Sequence, residues 1–426
     1  MVFSIRAEII PELKNTFFMP TNAAHAAELI GSVAGVAFLA FAVSIFIGSP
    51  LCDYLGMGRL MALSCLLFIV GSLTTIFAAQ LSSTLPVYWV LWFGMATVGL
   101  AHGLVEAVIN PLVATLYPDD KTHKLNVLHA WWPGGLMIGG LLSFGLNSLG
   151  AGFQVKLATI LVPAIVFGLM LIGTRFPPTE RVAAGVSSKA MIGEAYRPMF
   201  IVLFLAMFLT AASELAPNQW VGDMLSKTLG FNGILVLVYV SMLMFVMRHF
   251  AGPIAHKLSP IGLLWTSCLL ASAGLLLLSY ADNPVTGILA ATVWGTGVCY
   301  MWPTMLGVTS ELFPRGGAFL LGIMGSAGNL SIYFVLPAMG RIYDHYSQIK
   351  AQEMFSTSVK ALAAQAEARA PGAVDQMNAV FKAAAPYAFR WVAILPAILL
   401  VVFGVWWLAD RARGGYRAER LETGAN

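Results

Sequence analysis

Residues Val87 to Leu116 read VYWVLWFGMATVGLAHGLVEAVINPLVATL, a run whose one formal charge is Glu106. It exceeds the roughly 20 residues that a helix needs to cross a hydrocarbon core. In lipid only a helix or a closed barrel satisfies its own backbone, and barrel strands are about ten residues of alternating polarity. This run fits only the helix. Working outward from it, eleven apolar runs are expected to span, at about 26–47, 60–79, 87–116, 125–148, 156–174, 198–220, 232–254, 261–280, 284–311, 317–339 and 387–409. The chain of 426 residues is 58% hydrophobic and 10% charged. Average soluble domains carry about 25% charge, so there is too little here to coat a water-facing surface, and disorder is excluded for the same reason. An all-α polytopic membrane protein remains.

The formal charge of +4 is scattered, with no basic stripe, which excludes nucleic-acid binding. Cys52, Cys65, Cys268 and Cys299 form no C-x-x-C or His-paired spacing and read as small apolar fillers, so no metal is expected. The chain has no Walker A motif, no H-E-x-x-H and no G-x-S-x-G, so neither ATP drive nor membrane hydrolysis is supported, and no cofactor is expected. The apolar start Met1–Ile5 is interrupted by Arg6 and Glu8, unlike a cleavable signal.

Lysine and arginine set the orientation. Of 24, 14 fall in one set of connections, including Arg59, the loop 175–197, Arg248 and the tail 410–426; Arg6, Lys14, Lys156 and Lys227 fall opposite. The central loop and the C-terminus are therefore expected in the cytoplasm, at the inner membrane of a bacterium. Pro50–Leu67 (PLCDYLGMGRLMALSCLL) and Pro253–Leu270 (PIAHKLSPIGLLWTSCLL) agree at 7 of 18 positions, an offset of 203. Glu8-Ile-Ile-Pro11 against Glu214-Leu-Ala-Pro217, and Tyr117-Pro118 against Phe313-Pro314, echo it at nearly the same offset. Two related six-helix halves follow, 1–174 and 198–426, joined by the cytoplasmic loop 175–197. In that register the run Met199–Met207 maps before Met1, so the first helix is expected to be truncated to its outer end, Met1–Pro11, giving eleven full spans plus a stub. The alanine-rich segment 341–385 is expected to be an external insertion, helical in part and broken at Pro371-Gly372.

An ionisable residue at the bilayer centre costs at least ~2.5 kcal/mol, so it needs a reason. His102, Glu106 and Asn110, spaced i, i+4, i+8, form one polar stripe, and Pro111 favours a kink beside it. Burial disfavours the charged form of a carboxyl, so Glu106 is a proton-carrying candidate. In the next span Asn126, His129 and Trp132 share a face suited to a polyhydroxylated ligand, with packing or an interfacial belt as the alternative for the tryptophan. Thr210, Glu214 and Asn218 form a second stripe, with Glu214 a second gating or proton group. Tyr300, Trp302 and Pro303 precede an expected helix break, and Ser326, Asn329 and Tyr333 line one face. These are further candidates for binding solute.

Ser49-Pro-Leu51-Cys-Asp53-Tyr-Leu-Gly56-Met-Gly58-Arg59 resembles the G-x-L-a-D-r-x-G-r-r loop of the major facilitator superfamily, with Leu51, Asp53 and Gly56 in register. The resemblance implies two six-helix halves and a conformational latch made by Asp53, Gly56 and Arg59. Gly103-Leu-Val-Glu106-Ala-Val-Ile-Asn110-Pro111 and Lys124-Leu-Asn126 are similar to the G-x-x-E-x-x-x-N-P and R-L-N of the fucose-permease-like sugar:proton symporters. That implies a proton role for Glu106 and a sugar-facing position 129, where the group has glutamine. The group's acid before the first helix-ending proline is absent: Ala7 stands there, with Glu8 next.

The expected function is secondary active transport by alternating access, coupling protons to uptake of a small polar solute such as a sugar. The expected partners are that solute, protons and the bilayer, with the chain a monomer and not an enzyme. A proton-coupled efflux antiporter for amphipathic compounds and a non-transporting solute sensor are the alternatives. A nitrate-type carrier wants arginine in the middle of spans two and eight, and span two has none.

Overall fold

The computed structural model describes the backbone of all residues except 23–24, 230–233, 369 and 422–426; the side chains of 21–22, 26–28, 216, 218–229, 234–235, 237, 333, 336–337 and 367 also lie outside the description. Among the described residues the regular structure is entirely helical. Eight helices are long and apolar enough to cross a membrane, or nine if 238–249 and 251–258, bent by 64° at Phe250, form one broken span. The protein is therefore an integral membrane protein.

Helix boundaries depart from the hydropathy reading where polar sequence continues a helical register. The first helix, Val2–Leu13, carries Pro11 inside it and continues through a π-helical turn, Lys14–Phe18, to Met19–Asn22, beyond the stub expected to end at Pro11. A wide turn suits proline, which cannot donate to the ladder. The helix expected at 317–339 runs on as Gly317–Phe355, and the last begins at Ala373, not near 387, and ends at Ala412. At ~1.5 Å per residue both exceed a ~30 Å hydrocarbon core. With Val359–Glu367 between them, the segment 341–385 is mostly helical, around a small apolar cluster of Ala351, Leu362 and Val380. Gly372, at φ +77°, makes the expected break.

The chain forms two compact units. The first comprises Met1–Phe204 with Leu306–Leu330 and Arg417–Asn426, and the second Leu205–Met305 with Ser331–Tyr416. In the first, Val87–Leu116 packs closely on Ala26–Leu55 and on Met57–Ile76. The crossing depends on Gly103: a Cβ there would stand 2.5 Å from both the Phe41 carbonyl oxygen and the Ser44 Cβ, so only glycine allows this approach. In the second unit, Pro260–Leu278 packs on Pro284–Val298 and on the last helix, where Trp265 and Trp407 stack at 5.4 Å.

Interior prolines open helices at three useful places. Proline removes its own donor and crowds the carbonyl four residues earlier. That carbonyl is answered each time from a neighbouring helix: Ala107 (before Pro111) by the Cys52 thiol at 3.4 Å, Ser213 (before Pro217) by Trp294 Nε1 at 3.3 Å, and Cys299 (before Pro303) by Arg248 Nε at 2.6 Å. The last accounts for a correction. The break lies at Cys299–Tyr300, between Pro284–Val298 and Met301–Leu312; it takes in Tyr300 and stands ahead of Trp302 and Pro303, not after them.

Candidate functional site

In the first unit the stripe on Val87–Leu116 and the following helix, Lys121–Ser148, meet at three side chains. Asn110 Nδ2 donates to Glu106 Oε1 at 3.1 Å and to the Glu106 carbonyl at 2.9 Å. Asn110 Oδ1 lies 2.8 Å from His129 Nε2, which is 3.7 Å from Glu106 Oε1. Asn110 and His129 are buried and Glu106 is half-buried. Among the described residues no lysine or arginine pairs with Glu106. The group is a carboxyl and an imidazole, each able to hold a proton, with an amide hydrogen-bonded between them, and all three can exchange hydrogen bonds with hydroxyls.

The rest of the expected stripe divides. His102 turns to aromatic company, its ring 4.8 Å from Phe3, 6.0 Å from Phe41 and 4.7 Å from Phe68, with Nδ1 against the Val98 carbonyl at 2.9 Å. Trp132 joins this cluster through Phe3 at 4.7 Å. Asn126 is fully buried, its Nδ2 donating to the Thr122 carbonyl of its own helix at 2.8 Å. Asn329, also in the first unit, donates likewise to Gly325, at 2.9 Å.

In the second unit Glu214 Oε1 meets the Arg248 guanidinium at 3.1 Å, both side chains buried. Arg248 also holds the open carbonyl of Cys299, so one arginine ties Glu214 to the break. Tyr300 donates to the Met247 carbonyl at 3.0 Å, and Trp302 is half-buried. The side chains of Asn218 and Tyr333 lie outside the described residues. Arg248, counted as a connection charge from sequence, is 2% exposed, and Arg6, counted likewise, 5%. Both lie in the protein because partners on other helices, Glu214 for Arg248 and the Phe38 ring for Arg6, could not be read locally.

The loop motif also has a different partner from the one expected. Asp53 accepts from Arg181 Nε at 2.8 Å and lies 2.6 Å from its terminal nitrogen, while Thr179 Oγ1 donates to its other oxygen at 2.5 Å. Arg181 also donates to the Val186 carbonyl. Arg59 is exposed, and Gly56, at φ +82°, makes the turn between helices. Nearby, Lys121 pairs with Glu180 at 2.6 Å and donates to the Ser310 carbonyl at 3.2 Å, and Glu311 accepts from Thr122 Oγ1 at 2.7 Å. At the surface, the carboxylates of Glu419 and Glu194 raise the pKa of Arg197 above its ordinary value.

A D-xylose transporter of Levilactobacillus brevis is 26% identical over 156 residues, 36% of this chain and 30% of that protein's length. The fold is similar to that of the fucose:proton symporter FucP of E. coli, with TM-score 0.69 at 14% identity over 94% of this chain and 95% of that one. It is also similar to the proton:xylose symporter XylE, with TM-score 0.69 at 14% identity over 95% and 91%. Residues 13–336 match the Major Facilitator Superfamily, and the chain belongs to that family of transporters.

Proposed function

We propose that this chain takes up a small polar solute of the sugar class together with protons, with Glu106 the proton carrier and Asn110 and His129 facing the solute. The observation that carries the reading is the contrast between two intramembrane glutamates. Glu214 faces Arg248, so its charge has a fixed counter-charge. Glu106 faces an amide and an imidazole, so a proton is what neutralises it. A carrier that must reorient cannot cheaply drag an unpaired charge through a low-dielectric interior. A proton taken up with solute on one side and released on the other couples the two gradients. The sugar:proton symport of FucP and XylE and the D-xylose transport of the curated relative agree with it.

On this reading two six-helix halves, 1–174 and 198–426, alternate about a midplane site. The loop 175–197 and the tail face the cytoplasm of a bacterial cell, and the unit of function is the monomer. Glu214 and Arg248 brace the broken helix at Cys299–Tyr300, and Asp53 with Arg181 forms the latch. In proteoliposomes, Glu106→Gln abolishes pH-driven uphill uptake of D-xylose or L-fucose while sugar exchange across the membrane continues. Gradient-driven uptake at the wild-type level in that variant ends the proposal.

A further inference from the structure

Arg6 stands apart from every other buried charge in the first unit. Its side chain is 5% exposed, and among the described residues it makes no hydrogen bond or ion pair; its Nε is wholly enclosed without an acceptor. The acids that could have answered it are engaged elsewhere. Glu8 accepts from Asn147 at 2.5 Å, Glu12 holds Lys156 at 3.1 Å and the Phe153 backbone N–H at 2.7 Å, and Glu106 belongs to Asn110 and His129. The company of Arg6 is aromatic: its guanidinium carbon lies 5.1 Å from the Phe3 ring centre and 5.5 Å from that of Phe38. Rings attract the face of a guanidinium. They do not accept the N–H groups in its plane, which form a fork that matches a carboxylate.

Phe3 links this cation to the solute-facing helices, touching His102 at 4.8 Å and Trp132 at 4.7 Å. His102 and Glu106 are four residues apart on one helix, about 6 Å along the axis. The first unit thus holds, in adjacent layers, a cation without an anion, an aromatic platform and a protonatable carboxyl. We propose that Arg6 is a carboxylate clamp and that the transported solute is a sugar acid of the uronate class, its ring against Phe3 and Trp132 and its carboxylate on Arg6. This rests on the sugar:proton reading above and narrows it. A doubly charged phosphate ester fits less well, because the clamp offers one cation.

The test uses the full chain, purified in detergent and in proteoliposomes. Calorimetry compares D-glucuronate with D-glucose, D-galacturonate with D-galactose, and D-glucose 6-phosphate as the phosphate arm. Wild type should bind the acids about tenfold or more tighter than the neutral sugars, as charge-assisted bidentate bonds allow. In Arg6→Gln the ratio should fall to within about threefold, and Arg6→Lys should lie between. Without ligand, Arg6→Gln should melt at or above the wild-type temperature, since it removes an uncompensated buried charge; a lower melting temperature assigns Arg6 to structure and overturns the clamp. Equal affinity for acid and neutral sugar, tighter binding of the phosphate ester, or a preference that survives Arg6→Gln also overturns it. Uptake of neutral sugars by the pH gradient, without acid preference, sinks the clamp and leaves symport standing. Arg6-dependent acid binding without pH-driven uptake does the reverse, and no binding of either class sinks both.

Discussion

Glu106 and Glu214 have the same side chain in the same kind of helix and differ in what answers them. Arg248 is 2% exposed, and its guanidinium serves Glu214 and the Cys299 carbonyl together. Removing one partner of a buried pair leaves the other charge without compensation, at a cost of about 3–5 kcal/mol, whereas replacing both with apolar groups can be neutral. Glu214→Gln should therefore lower the melting temperature in detergent clearly, and Glu214→Leu with Arg248→Met should recover part of the loss, the rest being the donor that the Cys299 carbonyl loses. Equal destabilisation by the single and double changes would show that the pair does not act as a unit. Both acids were legible in the sequence because charge is so scarce in the spans. Arg248 was not, since a long side chain in the last turn of an apolar helix can reach outward to water or inward to an acid with the same local sequence. Arg6 is a second instance, where the surroundings that bury it are rings from the chain's own Phe3 and from Phe38 on another helix.

At the scale of elements, prolines that hydropathy reads only as kinks become attachment points, because each frees a carbonyl that a neighbour caps. Pro303 shows what sequence misses. The break it causes lies one turn before it, and its stability depends on an arginine 51 residues upstream of Cys299. The loop motif was half legible in the same way. Asp53 and Gly56 stand where the pattern puts them, but the expected arginine, Arg59, is exposed, and the partner observed is Arg181, 128 residues on. Asp53 and Arg181 side chains are 1% and 6% exposed. Arg181→Ala should thus destabilise by about 3–5 kcal/mol, and Arg59→Ala should stay within ~0.5 kcal/mol of wild type, as exposed substitutions do. Thermal unfolding of the two variants in one detergent checks this; equal effects would return the latch to Arg59.

For the whole molecule the fold was the most legible part, because apolar length decides what can lie in a bilayer whatever the packing inside. On the symport and clamp proposed above, which gradient drives the carrier depends instead on a charge count that involves both Glu106 and Arg6. One proton moving with one neutral sugar carries a net positive charge, so an interior-negative potential adds to the pH gradient. One proton moving with a sugar monocarboxylate carries none. A potential of 100 mV is worth about 2.3 kcal/mol per charge, close to a fiftyfold change in accumulation at equilibrium. Proteoliposomes with a potassium diffusion potential set by valinomycin separate the cases. The potential should raise D-glucose accumulation toward that limit and leave D-glucuronate accumulation unchanged, while an imposed pH gradient should drive both. A potential that drives the acid as strongly as the sugar would exclude one proton per sugar acid and require a second protonation site besides Glu106.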